Sequence, residues 1–329
     1  MILRSDESSH GKDGQLIMEL IHALFHSSQR GPLTLQGIKE LANIHYWAVS
    51  IIPVLLGSAL AYTVGNKFDL LVFVLLLPAA ISMHCVVNAY NHLFDYLRGT
   101  DRGEEKNSSR YPILYYGINP LYVLILGVVY LFLAFVLSFY VVLQAGWPLL
   151  MIGAVGAFIA VFYSGGPFPL AHYPLGEFAS GTAMGGLIPF AVYYGMTGSL
   201  DWIVLVYTLP MILTIGILCF INNICDIEKD SINRRTLPIL IGRPLSSTLF
   251  RVGYGLTWIC ALLISVLSFT KGCWILILSL VLAWKKLREL FRMDYTPSTR
   301  NIVIPLYAST IPILNVGYTI TILLQGLLH

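Results

Sequence analysis

The sequence predicts an all-α membrane protein with nine transmembrane helices, and this prediction is based on its composition and on the length of its apolar segments. Of the 329 residues, 57% are hydrophobic and only 11% are charged, whereas an ordinary soluble domain carries roughly 25% charged residues. The apolar residues are concentrated in segments of about twenty, the length at which a helix crosses roughly 30 Å of hydrocarbon. A soluble fold is therefore excluded and the lipid bilayer is the expected surrounding. The net charge of +3 is too small to indicate a nucleic-acid partner.

Nine apolar runs are the candidate spans, in chain order. They cover residues 45–64, 68–90, 119–143, 147–164, 176–196, 202–222, 248–269, 272–290 and 302–327. Prolines inside these runs, such as Pro53 and Pro305, are tolerated because neighbouring groups in a membrane protein can satisfy the freed carbonyls. Residues 1–44 are predicted to be a cytoplasmic or interfacial segment, with an interfacial helix over Ile17–Phe25. Residues 45–329 are then a single polytopic membrane domain.

The basic residues of the loops predict the orientation of the chain. Cytoplasmic loops carry an excess of Lys and Arg, and three loops, after the second, sixth and eighth spans, show this excess. They contain Arg98, Arg102, Lys106 and Arg110; Lys229, Arg234, Arg235 and Arg243; and Lys285, Lys286, Arg288, Arg292 and Arg300. Alternation through nine spans places the N-terminus and these loops in the cytoplasm, and the C-terminus outside.

The second predicted span ends in a polar cluster. Asn91 and Asp95 are four residues apart, a spacing that places them on one helix face, and Asp101 follows. His92 lies between them, and a solvent-facing position suits it at least as well as a ligand role, because imidazole is a poor match for Mg²⁺. On its own, this cluster is also compatible with a simple polar helix end near water.

The sixth predicted span ends in a matching cluster. Asn222, Asp226 and Asp230 occupy positions i, i+4 and i+8, which forms one oxygen-rich stripe on the helix surface. Asn223 lies beside this stripe. Two such stripes, each continuing an apolar span and each followed by basic residues, favour a functional site over two unrelated polar helix ends.

The chemistry of these stripes points to magnesium and a diphosphate. Mg²⁺ prefers oxygen ligands and is usually held by a few carboxylates together with substrate phosphates. Diphosphate leaves readily only when its charge is neutralised, so metal ions and nearby cations stabilise the departing oxygens. Lys106, Arg110 and Arg235 follow the stripes in sequence and, together with Asn223, are the predicted diphosphate ligands.

A third cluster lies between the fourth and fifth spans. It runs from Tyr163 to Glu177 and is rich in glycine, proline and aromatic residues. Such a loop makes a shaped turn, and its aromatic rings can stack against a carbocation or an aromatic ring. A plain connecting loop would have a similar composition.

These three motifs resemble those of the UbiA superfamily of intramembrane aromatic prenyltransferases, most closely its 1,4-dihydroxy-2-naphthoate polyprenyltransferase branch, and the likeness covers nearly all of the chain after residue 40. The family's first motif is matched by Asn91, Asp95 and Asp101. Its second is matched by Asn222, Asn223, Asp226, Asp230, Arg235, Thr236, Leu237 and Gly242. The elements between them correspond to Tyr163, Gly166, Pro167 and Leu175–Glu177. The sequence departs from the family at His92 and at Asn43–Trp47, where the family has an Arg-Pro pattern.

The resemblance implies a nine-helix bundle around a central cavity, with a lateral opening for an isoprenoid tail and Mg²⁺ as cofactor. It implies that an isoprenyl diphosphate donates its prenyl group to an aromatic acceptor of menaquinone synthesis, in a bacterial cytoplasmic membrane with the site on the cytoplasmic side. Asp95 and Asp226 would act with the metal, Tyr163 would shield the allylic cation, and Asp101, Glu177 or His92 would assist acceptor binding or proton transfer.

Two other functions remain open from the sequence. The same site can cyclise the prenyl cation without an aromatic acceptor, as in the terpene-cyclase relatives of this superfamily. A transporter or a non-catalytic lipid-binding protein can also carry polar helix ends inside a membrane. Release of diphosphate in the presence of Mg²⁺ separates both enzymes from the non-catalytic alternative, and its dependence on an acceptor separates the two enzymes.

Overall fold

The structure, a computed structural model, describes residues 18–101 and 107–328. Each of the nine predicted apolar runs contains a long helical segment, which we number in chain order. They are α1 (Ala48–Thr63), α2 (Leu70–Leu97), α3 (Pro120–Ala145), α4 (Trp147–Phe162), α5 (the consecutive segments Gly176–Ser180, Gly181–Leu187 and Ile188–Thr197), α6 (Leu209–Cys225), α7 (Arg243–Ser268), α8 (Cys273–Arg292) and α9 (Arg300–Leu327). Shorter helices over Leu35–Leu41, Pro112–Tyr116, Ile203–Tyr207, Ile227–Asp230 and Leu237–Ile241 connect them. Within these residues no β-strand forms, so the all-α prediction is confirmed.

Four of the helices, α2, α3, α7 and α9, are individually long and apolar enough to cross a bilayer. A fifth candidate span combines residues 35–46 with α1, across a bend of 49°. The helices α4 and α6 are apolar but shorter. Among the described residues, length and hydropathy therefore support four or five spans, and the number nine stays a prediction.

The starts of α2 and α3 are set by local hydrogen bonds. The Asp69 side chain accepts hydrogen bonds from two backbone N–H groups in the first turn of α2, and Asn119 does the same for one N–H at the start of α3. Pro120 follows Asn119, at a position where a missing N–H costs nothing. These caps satisfy donors that a helix leaves unpaired at its N-terminus, and so they fix where the apolar runs become helical.

The central part of α5 is a π-helix over Gly181–Leu187, and it lies against α6. A Cβ atom at Gly181 would lie 2.6 Å from the Ile212 carbonyl oxygen, and one at Gly185 would lie 2.5 Å from the Ile212 nitrogen. Only glycine permits this approach of two backbones. The close contact brings the end of α6 beside the loop that precedes α5.

The bundle has an apolar outer face and a partly polar interior. On α3, large apolar side chains such as Leu143 (68% exposed) and Val129 (52% exposed) face outward, as expected of a surface in contact with lipid. Inside, the fully buried Tyr307 donates a hydrogen bond of 2.7 Å to the Thr214 carbonyl, which ties α9 to α6. Further contacts pack α2 against α3, α8 against α9, and α1 against α5 and α9.

The N-terminal segment packs against the ends of α2 and α3. Residues 18–25 are helical, in agreement with the predicted interfacial helix except for Ile17, which lies outside the described residues. Ser27 Oγ is 2.7 Å from the Tyr96 hydroxyl, and the Gly31 backbone N–H donates to the Gly117 carbonyl at 2.7 Å. The boundary between residues 44 and 45 stays a prediction.

Candidate active site

A cavity of about 1100 Å³ opens between the helices, and both polar stripes line it. One side is formed by the last turns of α2, with Asn91 and Asp95. The opposite side is formed by the end of α6 and the short helix after it, with Asn222, Asp226 and Asp230. The structure thus brings together residues that are more than 120 positions apart in the sequence.

In the first stripe, both oxygen-bearing side chains have partners. Asn91 Oδ1 accepts a hydrogen bond of 2.8 Å from the Ser164 hydroxyl, which orients the amide. Asp95 is only 8% exposed, and its Oδ1 lies 2.5 Å from the guanidinium of Arg234. This Arg follows the second stripe in sequence, so the two stripes are linked directly.

In the second stripe, an arginine of the last long helix holds two side chains. Arg300, the first residue of α9, donates through Nε to the Asp226 carboxylate, 2.8 Å from Oδ1. A terminal nitrogen of the same guanidinium lies 3.0 Å from Asn222 Oδ1. Arg110 also approaches Asp226, at 3.5 Å. Two guanidinium groups from opposite parts of the chain therefore meet at one carboxylate.

Arg234 joins the stripes because it also lies 3.5 Å from Asp230. Asp230 is 4% exposed, and burial raises the pKa of its carboxyl to about 6, although Arg234 acts in the opposite direction. The negative neighbours Asp226 and Asp95 raise this pKa further. A cation bound beside Asp230 would favour its ionised form and lower this pKa.

The inward positions of Arg234 and Arg300 were not predicted from the sequence. Arg234 lies four residues after Asp230, a spacing at which helical side chains meet. Arg300 stands at the start of a helix, where the helix dipole disfavours a cation. Both features could have marked these residues as partners of the stripes.

The predicted diphosphate ligands have different positions. Arg110 lines the cavity. The side chain of Arg235 is exposed and lies in a separate, smaller pocket together with Arg98 and His172, whereas Arg234, one residue earlier, lines the main cavity. The role of Arg235 as a diphosphate ligand stays a prediction. Lys106 lies outside the described residues.

Asp101 and Lys229 form a further charged pair at the cavity wall. Lys229 Nζ lies 3.1 Å from Asp101 Oδ1 and 4.5 Å from the centre of the Tyr111 ring. This pairing holds the chain after α2 against the short helix after α6. His92 lies on the same wall of the cavity.

Tyr163, Asn223 and Glu177 come together where α4 and α5 approach α6. The Tyr163 hydroxyl is 3.2 Å from Cys219 Sγ, and both side chains line the cavity. Asn223 Nδ2 donates to Glu177 Oε1 at 2.8 Å. The other carboxylate oxygen, Glu177 Oε2, is buried and makes no hydrogen bond within the described part of the chain. A buried carboxylate oxygen without a partner is able to accept a proton or a hydrogen bond.

The donor set fits Mg²⁺ bound together with a diphosphate. The stripes offer three carboxylates and two amide oxygens, the hard ligands that Mg²⁺ prefers. Among residues 18–101 and 107–328, however, no three His, Cys, Asp or Glu side chains converge on one point. Magnesium typically takes only one or two carboxylates and completes its shell with phosphate oxygens and water, so this arrangement suits a metal shared with substrate.

A model of the UbiA prenyltransferase family matches residues 50–304, which include both stripes, Tyr163 and Arg300. The chain belongs to the UbiA prenyltransferase family. It is an integral membrane prenyltransferase, and the resemblance inferred from the motifs is confirmed.

Two similar proteins have assigned prenyltransferase activities. The 1,4-dihydroxy-2-naphthoate octaprenyltransferase of Bacillus subtilis (strain 168) is 31% identical over 229 residues, 69% of this chain and 73% of the relative. The 2-carboxy-1,4-naphthoquinone phytyltransferase of Synechocystis sp. (strain ATCC 27184 / PCC 6803 / Kazusa) is 27% identical over 204 residues, 61% of this chain and 64% of the relative. Two similar proteins thus act on naphthalene-derived acceptors.

The fold is also shared with solved structures. A UbiA homologue from Archaeoglobus fulgidus, bound to GPP and Mg²⁺, has a TM-score of 0.63 at 14% identity and covers 87% of this chain and 99% of its own. A digeranylgeranylglyceryl phosphate synthase has a TM-score of 0.59 at 19% identity, with coverage of 88% and 98%. At such identities the likeness shows the fold alone.

Proposed function

We propose that this prenyltransferase moves an isoprenyl group from its diphosphate to an aromatic acceptor of the 1,4-dihydroxy-2-naphthoate class, with Mg²⁺ as cofactor. The supporting observation is the meeting of both Asn/Asp stripes and three guanidinium groups in one cavity whose other walls are mostly apolar. The similarity to two naphthoate-type and naphthoquinone-type prenyltransferases supports the acceptor class.

In this proposal the polar end of the cavity binds the diphosphate. The metal ligands are the five stripe residues, Asn91, Asp95, Asn222, Asp226 and Asp230. Bound Mg²⁺ would neutralise the diphosphate and stabilise its oxygens as the bond to carbon breaks. Arg110, Arg234 and Arg300 line the same region and donate hydrogen bonds to the outer oxygens, a task suited to the planar guanidinium. Lys106 stays a predicted ligand of this group.

The apolar part of the cavity receives the isoprenoid chain. Its walls include Phe132 and Phe135 of α3 and Leu150 and Ala157 of α4, which offer no hydrogen bonds and exclude water. Tyr163 borders the cavity one residue before Ser164, the partner of Asn91, and in this proposal it lies next to the allylic carbon. Its ring can stabilise positive charge through its π face and shield the cation from water.

In the proposed reaction one C–O bond breaks and one C–C bond forms. The electron pair of the C1–O bond leaves with the diphosphate, and a ring carbon of the acceptor supplies the pair for the new C–C bond. The ring regains aromaticity by losing CO₂ when that carbon bears a carboxylate, or a proton when it bears hydrogen. In the second case the candidate acceptors of the proton are Glu177, whose Oε2 has no hydrogen-bond partner among the described residues, and Asp101, which borders the cavity and is paired with Lys229.

The loop charges support an orientation for this reaction. With the Lys/Arg-rich loops in the cytoplasm, the stripes at the ends of α2 and α6 face the cytoplasm, where water-soluble diphosphate can leave. We propose a bacterial cytoplasmic membrane as the site of action.

The test is diphosphate release by the purified full-length protein given Mg²⁺ and geranylgeranyl diphosphate, with and without 1,4-dihydroxy-2-naphthoate, with the organic product identified by mass spectrometry. We expect release to depend on both Mg²⁺ and the naphthoate and to yield a prenylated naphthoquinol. Release without an acceptor, together with a terpene hydrocarbon or alcohol, would replace this proposal with a cyclase. No release under any condition would contradict both.

A further inference from the structure

A buried histidine lines the cavity beyond the stripes. His84 lies on α2 seven residues before Asn91, which places it about 10 Å from that residue along the helix axis, towards the membrane interior. It is 9% exposed and borders the cavity. Its Nδ1 is 2.9 Å from Ser50 Oγ on α1. In the described residues its other ring nitrogen, Nε2, makes no hydrogen bond to protein.

The Ser50 contact determines which nitrogen carries the proton. Ser50 is fully buried, and His84 Nδ1 is the partner of its hydroxyl. A buried hydroxyl retains a hydrogen-bond acceptor for its proton, so Ser50 donates to Nδ1. In the neutral imidazole the proton is then on Nε2. Among the described residues Nε2–H is a donor without a protein partner, on a side chain that borders the cavity.

The neighbouring side chains complete a polar recess. We use this name for Asn43, Tyr46, His84 and Asn88, all of which border the cavity. Asn88 lies one helical turn after His84 and donates its Nδ2 to the Ala42 carbonyl at 3.3 Å, which leaves Oδ1 able to accept. The recess therefore presents a donor at His84 and an acceptor at Asn88, spaced by one turn of the same helix face.

We propose that this polar recess binds the aromatic acceptor, with His84 Nε2–H donating a hydrogen bond to an oxygen substituent of the ring, a carboxylate or a hydroxyl. The inference rests on the function proposed above. The stripes hold the diphosphate, and the reacting ring carbon must come within about 3–3.5 Å of the allylic carbon. The space of about 10 Å between Asn91 and His84 accommodates the allylic carbon and a fused bicyclic ring. Ser50 is a positioning residue that fixes the imidazole.

Kinetics of site variants test the recess. In His84→Phe, we expect the KM for 1,4-dihydroxy-2-naphthoate to rise about 10- to 100-fold, since a buried substrate oxygen loses its partner, while the KM for geranylgeranyl diphosphate stays within about twofold. His84→Gln retains an N–H donor and should recover most of the loss. Ser50→Ala should raise the acceptor KM about 3- to 10-fold. The matched control is Ser58→Ala, on the same helix, whose hydroxyl bonds only to the Val54 carbonyl of its own helix and whose removal should change neither KM.

Calorimetric binding identifies the oxygen. Wild-type and His84→Phe protein, each loaded with Mg²⁺ and diphosphate, are titrated with 2-naphthoate and with 1-naphthol. Loss of affinity for 2-naphthoate alone assigns the carboxylate to His84, and loss for 1-naphthol alone assigns the hydroxyl. Equal affinities of both proteins for both ligands overturn the inference.

The kinetic outcomes separate this inference from the proposed function. An unchanged acceptor KM in His84→Phe, or an equal rise of both KM values, overturns the recess while wild-type prenylation of the naphthoate stands. If the wild-type protein does not consume the naphthoate, the proposed function itself fails. If His84→Phe cannot be purified, the comparison of Ser50→Ala with Ser58→Ala decides the question, since both change one buried hydroxyl on α1.

Discussion

Asp95 is the residue at which the proposed metal site is tested most directly. Its carboxylate is 8% exposed and lies 2.5 Å from Arg234. Asp95→Asn keeps the volume and one side-chain oxygen but removes the negative charge. The substitution thus changes the electrostatics of the first stripe with little change in packing.

Two effects of this substitution differ in size. In the reaction, loss of one preorganised electrostatic partner typically lowers kcat by about 10²–10³, and we expect a loss in that range for Asp95→Asn. In the folded state, removing one member of a buried ion pair costs about 3–5 kcal/mol when the other charge is left alone. Arg234 keeps Asp230 at 3.5 Å, so we expect a smaller loss of unfolding free energy, about 1–3 kcal/mol.

The assay is Mg²⁺-dependent diphosphate release in detergent, with thermal unfolding followed on the same preparations. The matched control is Asp69→Asn, at the opposite end of the same helix, where Asp69 caps α2 and Asn is an equally good cap. We expect wild-type activity from the control. Retention of more than about a tenth of wild-type kcat by folded Asp95→Asn would refute the metal role of the first stripe.

Three further predictions concern the charges around the stripes. Arg234→Gln should lower kcat/KM about 100-fold, whereas kcat/KM of Arg235→Gln, changed at an exposed side chain one residue later, should stay within about threefold of wild type. Equal losses of kcat/KM in steady-state assays would contradict the inward position of Arg234. Arg300→Gln should raise the KM for the prenyl diphosphate about tenfold or more, while the control Arg292→Gln, at an exposed side chain, should leave this KM unchanged. An unchanged KM in Arg300→Gln would exclude Arg300 from the diphosphate site. Burial raises the pKa of Asp230 to about 6, so between about pH 4 and 6 the folded state holds a proton that the unfolded state has released. Thermal stability in a chelating buffer should therefore fall as pH rises through this range, by at most about 3 kcal/mol. Asp230→Asn should flatten this slope, and an unchanged slope in the variant would contradict the prediction.

Helix positions could be predicted from the sequence because the bilayer requires long apolar runs. The run 119–143 corresponds to α3 at Pro120–Ala145 and the run 302–327 to α9 at Arg300–Leu327. Hydropathy could not predict the π-helix inside α5, since its widened turn follows from the contact of Gly181 and Gly185 with α6. That contact joins parts of the chain far apart in sequence.

The site was predictable where helical periodicity applied and unpredictable where tertiary contacts decided. The spacing of Asn222 and Asp226 by itself places both oxygens on one face. Arg234 follows Asp230 at helical spacing, but the short helix ends at Asp230, so the spacing alone does not decide whether Arg234 or Arg235 points inward. Arg300 meets Asp226 only because α9 packs beside α6. His84 lies within an apolar run, and its significance depends on Ser50 from another helix.

The balance of charges in the cavity explains why a metal should be required. Asp95, Asp226 and Asp230 face Arg110, Arg234 and Arg300, so the described lining of the diphosphate region is close to neutral before substrate binds. A prenyl diphosphate carries about three negative charges near neutral pH, and burying these charges uncompensated beside a hydrocarbon cavity would be costly. In the proposed function, bound Mg²⁺ would offset these charges, held by the stripe carboxylates, while the arginines would donate to the diphosphate oxygens. The same side chains would then stabilise the protein before binding and the leaving group during the reaction, which requires both stripes to be present together.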